Sequence, residues 1–198
     1  MGPVTGELRV YDTDPALIRA AAKGDLAAFE QLVRDHQQPV WRFLRRLLGD
    51  DALAEDVAQE TFVRLYRRLD SYTFESKFST WLFQIARNAG IDEIRKRERQ
   101  TRVVATAPPQ LSPVAPPDLH AELQAALDSL PDDLREAVLL VEVLGLRYRE
   151  AGTALGIPEG TVKSRVFHAR QKLHTWANAN EPGLPRRPRE REEARREV

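Results

Sequence analysis

Residues 144–173 read LGLRYREAGTALGIPEGTVKSRVFHARQKL. Tyr148, Ala151 and Leu155 recur at helical spacing, and Gly156 closes that run as a C-terminal glycine does. Ile157 can plug the corner, while Pro158 forbids continuation of the first helix and tolerates the start of a second. From Thr161 the period resumes through Val162, Val166, Ala169 and Leu173. The opposite face carries Lys163, Ser164, Phe167, His168 and, at its edge, Arg170. Two short helices about a tight corner make a helix-turn-helix, whose second helix enters a DNA major groove with its N-terminal residues near base edges. A helical hairpin in any all-helical protein shares this period. Lys163, Arg165, Arg170 and Lys172, with no acid between them, tip the reading toward DNA.

The rest of the composition narrows the class. A chain of 198 residues holds one large or two small domains. With 42% hydrophobic and 30% charged residues it is globular and rich in polar surface. The absence of cysteine excludes disulfides, thiolate zinc sites and cysteine nucleophiles, and fits a reducing cytoplasm. No apolar run approaches a membrane span, and the amino terminus has no basic-then-apolar signal pattern. Thirty basic residues balance thirty acidic ones. A neutral chain is poorly suited to tight unaided DNA binding, which depends on neutralising phosphates, so DNA contact should be local or partner-dependent.

Taken in order, residues 1–13 show no period and read as a flexible arm. Asp14 and Pro15 cap and open a short helix, Ala16 to Ala22, ended by Gly24. Asp25 caps the next, with Leu26, Phe29, Leu32 and Val33 on one face. Pro39 should kink or break it, after which Val40, Phe43, Leu44, Leu47 and Leu48 continue the stripe. Arg42, Arg45 and Arg46 read as a solvated face. A third helix begins at Asp50-Asp51 and runs to about Leu69, burying Ala58, Phe62, Leu65 and Leu69. Asp51, Glu55 and Asp56 suit the dipole of its first turn, whereas Gln59 and Glu60 lie a turn further in. The loop DSYTFESK, residues 70–77, carries two rings, Tyr72 and Phe74. A long helix follows, about Phe78 to Arg99. Phe78, Trp81, Leu82, Ile85 and Ala89 should face inward, and Gln84, Asn88, Asp92 and Arg95 form a polar stripe. An aromatic loop beside a basic helix end is a seat for single-stranded nucleic acid, whose bases stack on rings.

Residues 100–118 form a Pro-rich linker that would span about 50–60 Å if extended. Helices resume over Leu119–Leu130 and Asp132–Leu144, then comes the helix-turn-helix; residues 178–198 read as a disordered charged tail. The fold class is therefore all-α, two small helical domains (14–99 and 119–177) joined by an extended linker. Gly-rich phosphate loops, Ser elbows and paired His ligands are missing from the sequence. The four histidines, His36, His120, His168 and His174, are scattered. No enzyme, cofactor or metal is indicated.

Four strings carry a resemblance. LGIPEGTVKSRVFHARQKL (155–173) and LDSLPDDLREAVLL (127–140) resemble the carboxy-terminal promoter-reading module of bacterial extracytoplasmic-function (group four) sigma factors. AEDVAQETFVRLYRRLDSY (54–72) and FSTWLFQIARNAGIDEIRKR (78–97) independently resemble their core-polymerase-binding and promoter-melting regions. The likeness covers roughly residues 15–99 and 119–175. It implies a transcription initiation factor that binds core RNA polymerase, recognises −35 and −10 elements and helps melt the −10 region. Carried over by position, Asp56, Gln59 and Glu60 would dock on the clamp of the largest polymerase subunit, with the flap of the second-largest subunit as a further partner. Tyr72 would hold a flipped base of the −10 element, and Asn88 and Asp92 would read or position that strand. Lys163, Ser164, Phe167 and His168 would read the −35 element, with Arg165 and Arg170 on the DNA backbone or bracing the scaffold. The linker would thread through polymerase, and an anti-sigma factor would be a partner, as is usual in the family. Such a factor works in the cytoplasm without membrane insertion, and its neutral charge fits a protein to which polymerase lends phosphate contacts.

The chain departs from the family in three places. At Tyr72-Thr73-Phe74 the family more often ends in glycine. Ala151-Gly152 replaces the commoner Ile-Ala, and His168 stands where a basic residue is frequent. Two other readings share some of the features: a dimeric helix-turn-helix repressor or activator on duplex DNA, and a helical adaptor binding only protein. A repressor needs no melting loop, and an adaptor needs no basic recognition helix.

Overall fold

The computed structural model describes residues 13–104 and 119–180, and all regular structure among them is helical. The arm through residue 12, the linker core 105–118 and the tail from 181 lie outside the described residues.

The N-terminal unit is α1 (Pro15–Ala22), α2 (Leu26–Leu48), α3 (Asp51–Arg68), a single 3-10 turn (Leu69–Ser71) and α4 (Phe78–Val104). Three aspartates start the first three helices: Asp14 accepts from the Ala16 amide, Asp25 from Ala28 and Asp50 from Leu53. Each satisfies a backbone donor that an α-helix cannot pair internally. Gly49 ends α2 at φ +69°, in the left-handed region.

Of the kink or break expected at Pro39, the break does not occur: α2 runs through it. Proline in a helix interior costs roughly 3 kcal/mol. Against that, Val40, Phe43, Leu44 and Leu47 are all buried in the turns that follow, and full burial of one such side chain is worth about 1.5–3 kcal/mol. Packing wins. Leu26 does not join the buried stripe; it is 62% exposed. Arg45 and Arg46 are half-buried, and Arg45 lies over the Trp41 ring. The buried set of α4 is wider than one face, because Phe83 is buried beside Leu82 and Ala86 while Trp81 is only half-buried. The expected linker from residue 100 begins later, since α4 continues to Val104.

The C-terminal unit is α5 (Leu119–Asp128), α6 (Asp132–Val138), α7 (Tyr148–Leu155) and α8 (Glu159–Asn180). The helix expected to reach Leu144 instead passes into a π turn over Leu139–Val143. Arg135 binds the carbonyls of Leu127, Asp128 and Leu130, closing the α5 end.

The two units are not held apart. Buried side chains of both form a continuous apolar cluster, with α4 packed on α7 and α2 packed on the π turn. Arg87 on α4 donates to Glu136 on α6 at 3.0 and 2.8 Å, and Lys77 lies 3.2 Å from Glu150 on α7. Gln124 on α5 donates to the Arg46 carbonyl at 3.3 Å.

Candidate nucleic-acid interface

The helix-turn-helix forms as its sequence dictates. Gly156 stands at φ +68°, and the Ile157 amide returns to the Gly152 carbonyl at 3.0 Å. The corner is so close that a Cβ on Gly152 would lie 2.8 Å from the Ile157 carbonyl oxygen. In this chain the corner therefore leaves no room for a Cβ at Gly152 unless the backbone around Ile157 shifts. On α8, Val162, Val166 and Ala169 are buried, which turns Lys163, Ser164, Phe167 and His168 outward. Phe167 is 57% exposed, and its ring meets that of His168 at 5.6 Å. An exposed phenylalanine flanked by polar donors can meet a thymine methyl while its neighbours bond base edges.

Three cations of α8 already have partners. Lys163 lies 2.7 Å from Glu159 and over the Tyr148 ring, and that ion pair raises its pKa further. Arg165 reaches Asp133 at 3.4 Å, and Arg170 reaches Glu142 at 2.6 Å. Both arginines thus tie α8 to neighbouring elements, α6 and the π turn.

The second candidate surface is the ring-bearing loop. Tyr72 is half-buried against Phe74, Phe78 and Trp81, with centroids 4.6, 5.7 and 5.0 Å away. Its hydroxyl donates to the Ser76 carbonyl, and burial pushes its pKa up. Phe74 is 41% exposed under the Arg19 guanidinium and holds φ +60°, the only positive value at a non-glycine among the described residues. The backbone thus keeps the conformation expected of glycine there, with a ring in place of the hydrogen. Asn88 and Asp92 are exposed on the same long helix; Asn88 accepts from Arg87 at 3.2 Å. Trp81, read from the sequence as core, belongs to the ring cluster. Arg19 had no signal in the sequence, because the ring it covers lies on another element; Arg64 follows Glu60 at helical spacing, but its second partner, Asp92, lies on α4.

The third surface is on α3, where Asp56, Gln59 and Glu60 are all exposed. Gln59 edges a groove of about 620 Å³ floored by Val33, Trp41, Ala58 and Phe62. Glu60 accepts from Arg64 at 2.9 Å. An acidic ridge beside an apolar groove can take a basic, amphipathic partner helix. Among the described residues, no cluster of His, Asp or Glu is arranged to hold a metal ion.

Residues 32–100 match Sigma-70 region 2, and residues 120–173 match Sigma-70, region 4. The ECF RNA polymerase sigma factor SigE of Mycolicibacterium smegmatis is 40% identical over 167 residues, covering 78% of this chain and 65% of that protein. The ECF RNA polymerase sigma factor SigC of Mycobacterium tuberculosis is 38% identical over 165 residues, covering 80% and 88%. Among solved structures, the sigma factor RpoE of Bartonella quintana, in complex with the anti-sigma factor NepR, superposes with a TM-score of 0.67 at 28% identity, covering 77% of this chain and 98% of that one.

Proposed function

Since this chain belongs to the extracytoplasmic-function sigma factors, promoter-recognising transcription initiation factors of RNA polymerase, we propose the following division of labour among its residues. The 14–99 unit docks on core polymerase and the −10 element, and the 119–177 unit takes the −35 element. Asp56, Gln59 and Glu60 contact the largest-subunit clamp. Tyr72 stacks on a base extruded from the −10 strand, while Asn88 and Asp92 hold that strand in register. Lys163, Ser164, Phe167 and His168 meet base edges at −35, with Arg165 and Arg170 bracing the helix and touching phosphates. The chain works in the cytoplasm, where polymerase and promoter meet. It supplies selectivity and leaves phosphodiester chemistry to polymerase.

The observation that carries this reading is the pairing, in one chain, of a ring-lined loop with an outward recognition strip on α8. The first serves single strands and the second duplex. The order of the two matched regions favours an initiation factor over a dimeric repressor. The solved relative bound to an anti-sigma factor supports a partner of that class, and the flap of the second-largest subunit suits region 4. The test is transcription: purified core polymerase with this chain should start transcripts on a promoter that core alone ignores. Failure on a broad promoter library would overturn the reading.

A further inference from the structure

Two helices open onto one cleft. It has a volume of about 560 Å³ and is lined by Lys77, Thr80 and Trp81 at the start of α4 and by Arg147, Arg149 and Glu150 at the start of α7. The Trp81 amide donates to the Lys77 carbonyl at 3.1 Å, the first bond of the α4 ladder, so the amides of Phe78, Ser79 and Thr80 have no partner within the helix. The N-terminus of this 27-residue helix carries the positive end of its dipole and a set of backbone donors, which together suit an anion. Thr80 adds an independent sign. It is 1% exposed, it lines the cleft, and among the described residues its hydroxyl is the one buried side-chain polar group without a hydrogen-bond partner. Buried polar groups rarely stay unpaired unless something else serves them.

Charge and shape point to the same class of ligand. Arg147 and Arg149 are exposed and form no ion pair among the described residues. Glu150 is already engaged, by Lys77 at 3.2 Å and by the Arg147 amide at 2.8 Å. With that pair set aside, two arginines face one acid of the lining, Glu75. Tyr72 and Trp81 line the same cleft with ring centroids 5.0 Å apart, and a base can stack on such rings. The volume lies within the usual range of small-molecule sites. We propose that the cleft binds a small nucleoside phosphate, free in solution and not part of a DNA strand. Its phosphate sits at the α4 N-terminus, where the Thr80 hydroxyl donates to one oxygen and the guanidinium groups of Arg147 and Arg149 close on the others. Its base lies against Trp81, and Glu75 accepts from a ribose hydroxyl. Such a ligand needs both units at once, the helix start and rings from one and the arginines from the other. The −10 strand, in the roles proposed above, calls on the N-terminal unit alone.

The test is calorimetric titration of the full chain, without polymerase, with AMP and GMP, beside inorganic phosphate and adenosine as the two halves of the ligand. The variants are Thr80→Val and R147A/R149A. Thr80→Val keeps the shape of the side chain and removes only a buried hydroxyl that has no partner, so it should melt no lower than the parent. Should the double variant lose helical content by circular dichroism, R149A alone carries the comparison. The expected result is saturable binding of AMP or GMP, about tenfold or more tighter than phosphate or adenosine, and weakened by about tenfold in either variant. No saturable binding of either nucleotide would overturn the site. Phosphate or adenosine matching the nucleotides would overturn the ligand class. Nucleotide affinity unchanged in R147A/R149A or in R149A would place the ligand on the rings alone and overturn a site shared by the two units. Core-dependent transcription with the parent chain tests the promoter roles separately: transcripts without nucleotide binding would sink the site and leave those roles standing.

Discussion

Arg64 and Asp92, 28 positions apart, meet at 2.9 Å, so α3 is tied to α4 by a guanidinium that also holds Glu60 at 2.9 Å. Two carboxylates assigned to different partners, polymerase and the −10 strand, therefore share one cation. The pairs raise the arginine's pKa, its Glu60 bond first. All three groups are partly solvated, so the network contributes little to stability.

That bears on Glu60→Lys. It places like charges at i and i+4 on α3, a cost of about 0.2–0.5 kcal/mol. The melting temperature should barely move, while affinity for core polymerase falls well beyond that. Titrating labelled core with each chain measures this. A large thermal loss with normal core affinity would show Glu60 to be structural.

Lys163→Ala should change the ranking of −35 variants in a promoter library, because base contacts carry the discrimination. Arg170→Ala should lower all of them in proportion. The Glu142 partner supplies a control: E142Q reproduces the uniform loss if Arg170 acts by bracing α8, and leaves activity intact if Arg170 acts on phosphate. A ranking untouched by Lys163→Ala would mean α8 presents another face.

Phe74 offers a measurement of backbone strain. Both Phe74→Ala and Phe74→Gly delete the ring and its contacts with Tyr72 and Arg19. Only glycine also relieves φ +60°, a conformation costing other residues about 1–2 kcal/mol. Phe74→Gly should therefore be the more stable of the two by about that amount in urea unfolding. Equal stabilities would show the loop relaxes without help.

Two of the glycines of the helix-turn-helix, Gly152 and Gly160, should respond in opposite directions. Gly152→Ala drives a methyl against the backbone oxygen of Ile157, and overpacking of this kind costs about 1–3 kcal/mol. On α8, a methyl group placed on Gly160 would meet nothing within 4 Å. There alanine should stabilise by about 0.4–1 kcal/mol through the unfolded chain. Thermal melts of both variants decide it.

His36 gives the fold a pH dependence. Buried in α2, it has Nδ1 2.9 Å from the Leu32 carbonyl and Nε2 3.1 Å from the Thr13 hydroxyl. The neutral ring satisfies both if Nδ1–H donates and Nε2 accepts. Burial lowers its pKa, against the smaller opposing pulls of the Leu32 carbonyl and Asp35. Below the ordinary histidine value of about 6.5 the unfolded chain takes up a proton that the folded one refuses, so this contribution is present above that pH and is lost as pH falls toward the folded value. Unfolding free energies measured between pH 7.5 and 5.5 should fall more steeply for the parent than for His36→Leu. Parallel curves would show that the imidazole charges freely in the fold.

Much of the molecule was legible in one dimension. Helical period, aspartate caps and Gly156-Ile157-Pro158 specified two helical units and the corner between α7 and α8, because these signals act within a few residues of one another. The same locality placed Lys163, Ser164, Phe167 and His168 on one outward strip, and kept Tyr72 and Phe74 together on a loop. Periodicity says which side of a helix is apolar; it does not say what covers it. Leu26 stayed exposed at the start of α2, and Phe83 became buried because α4 is enclosed by α2, α3 and α7 together. Arg64 meets Asp92 across 28 residues, and Arg87 meets Glu136 across 49. Such partners are chosen by packing of whole helices, so only the tertiary structure could pair them and close one unit over the other.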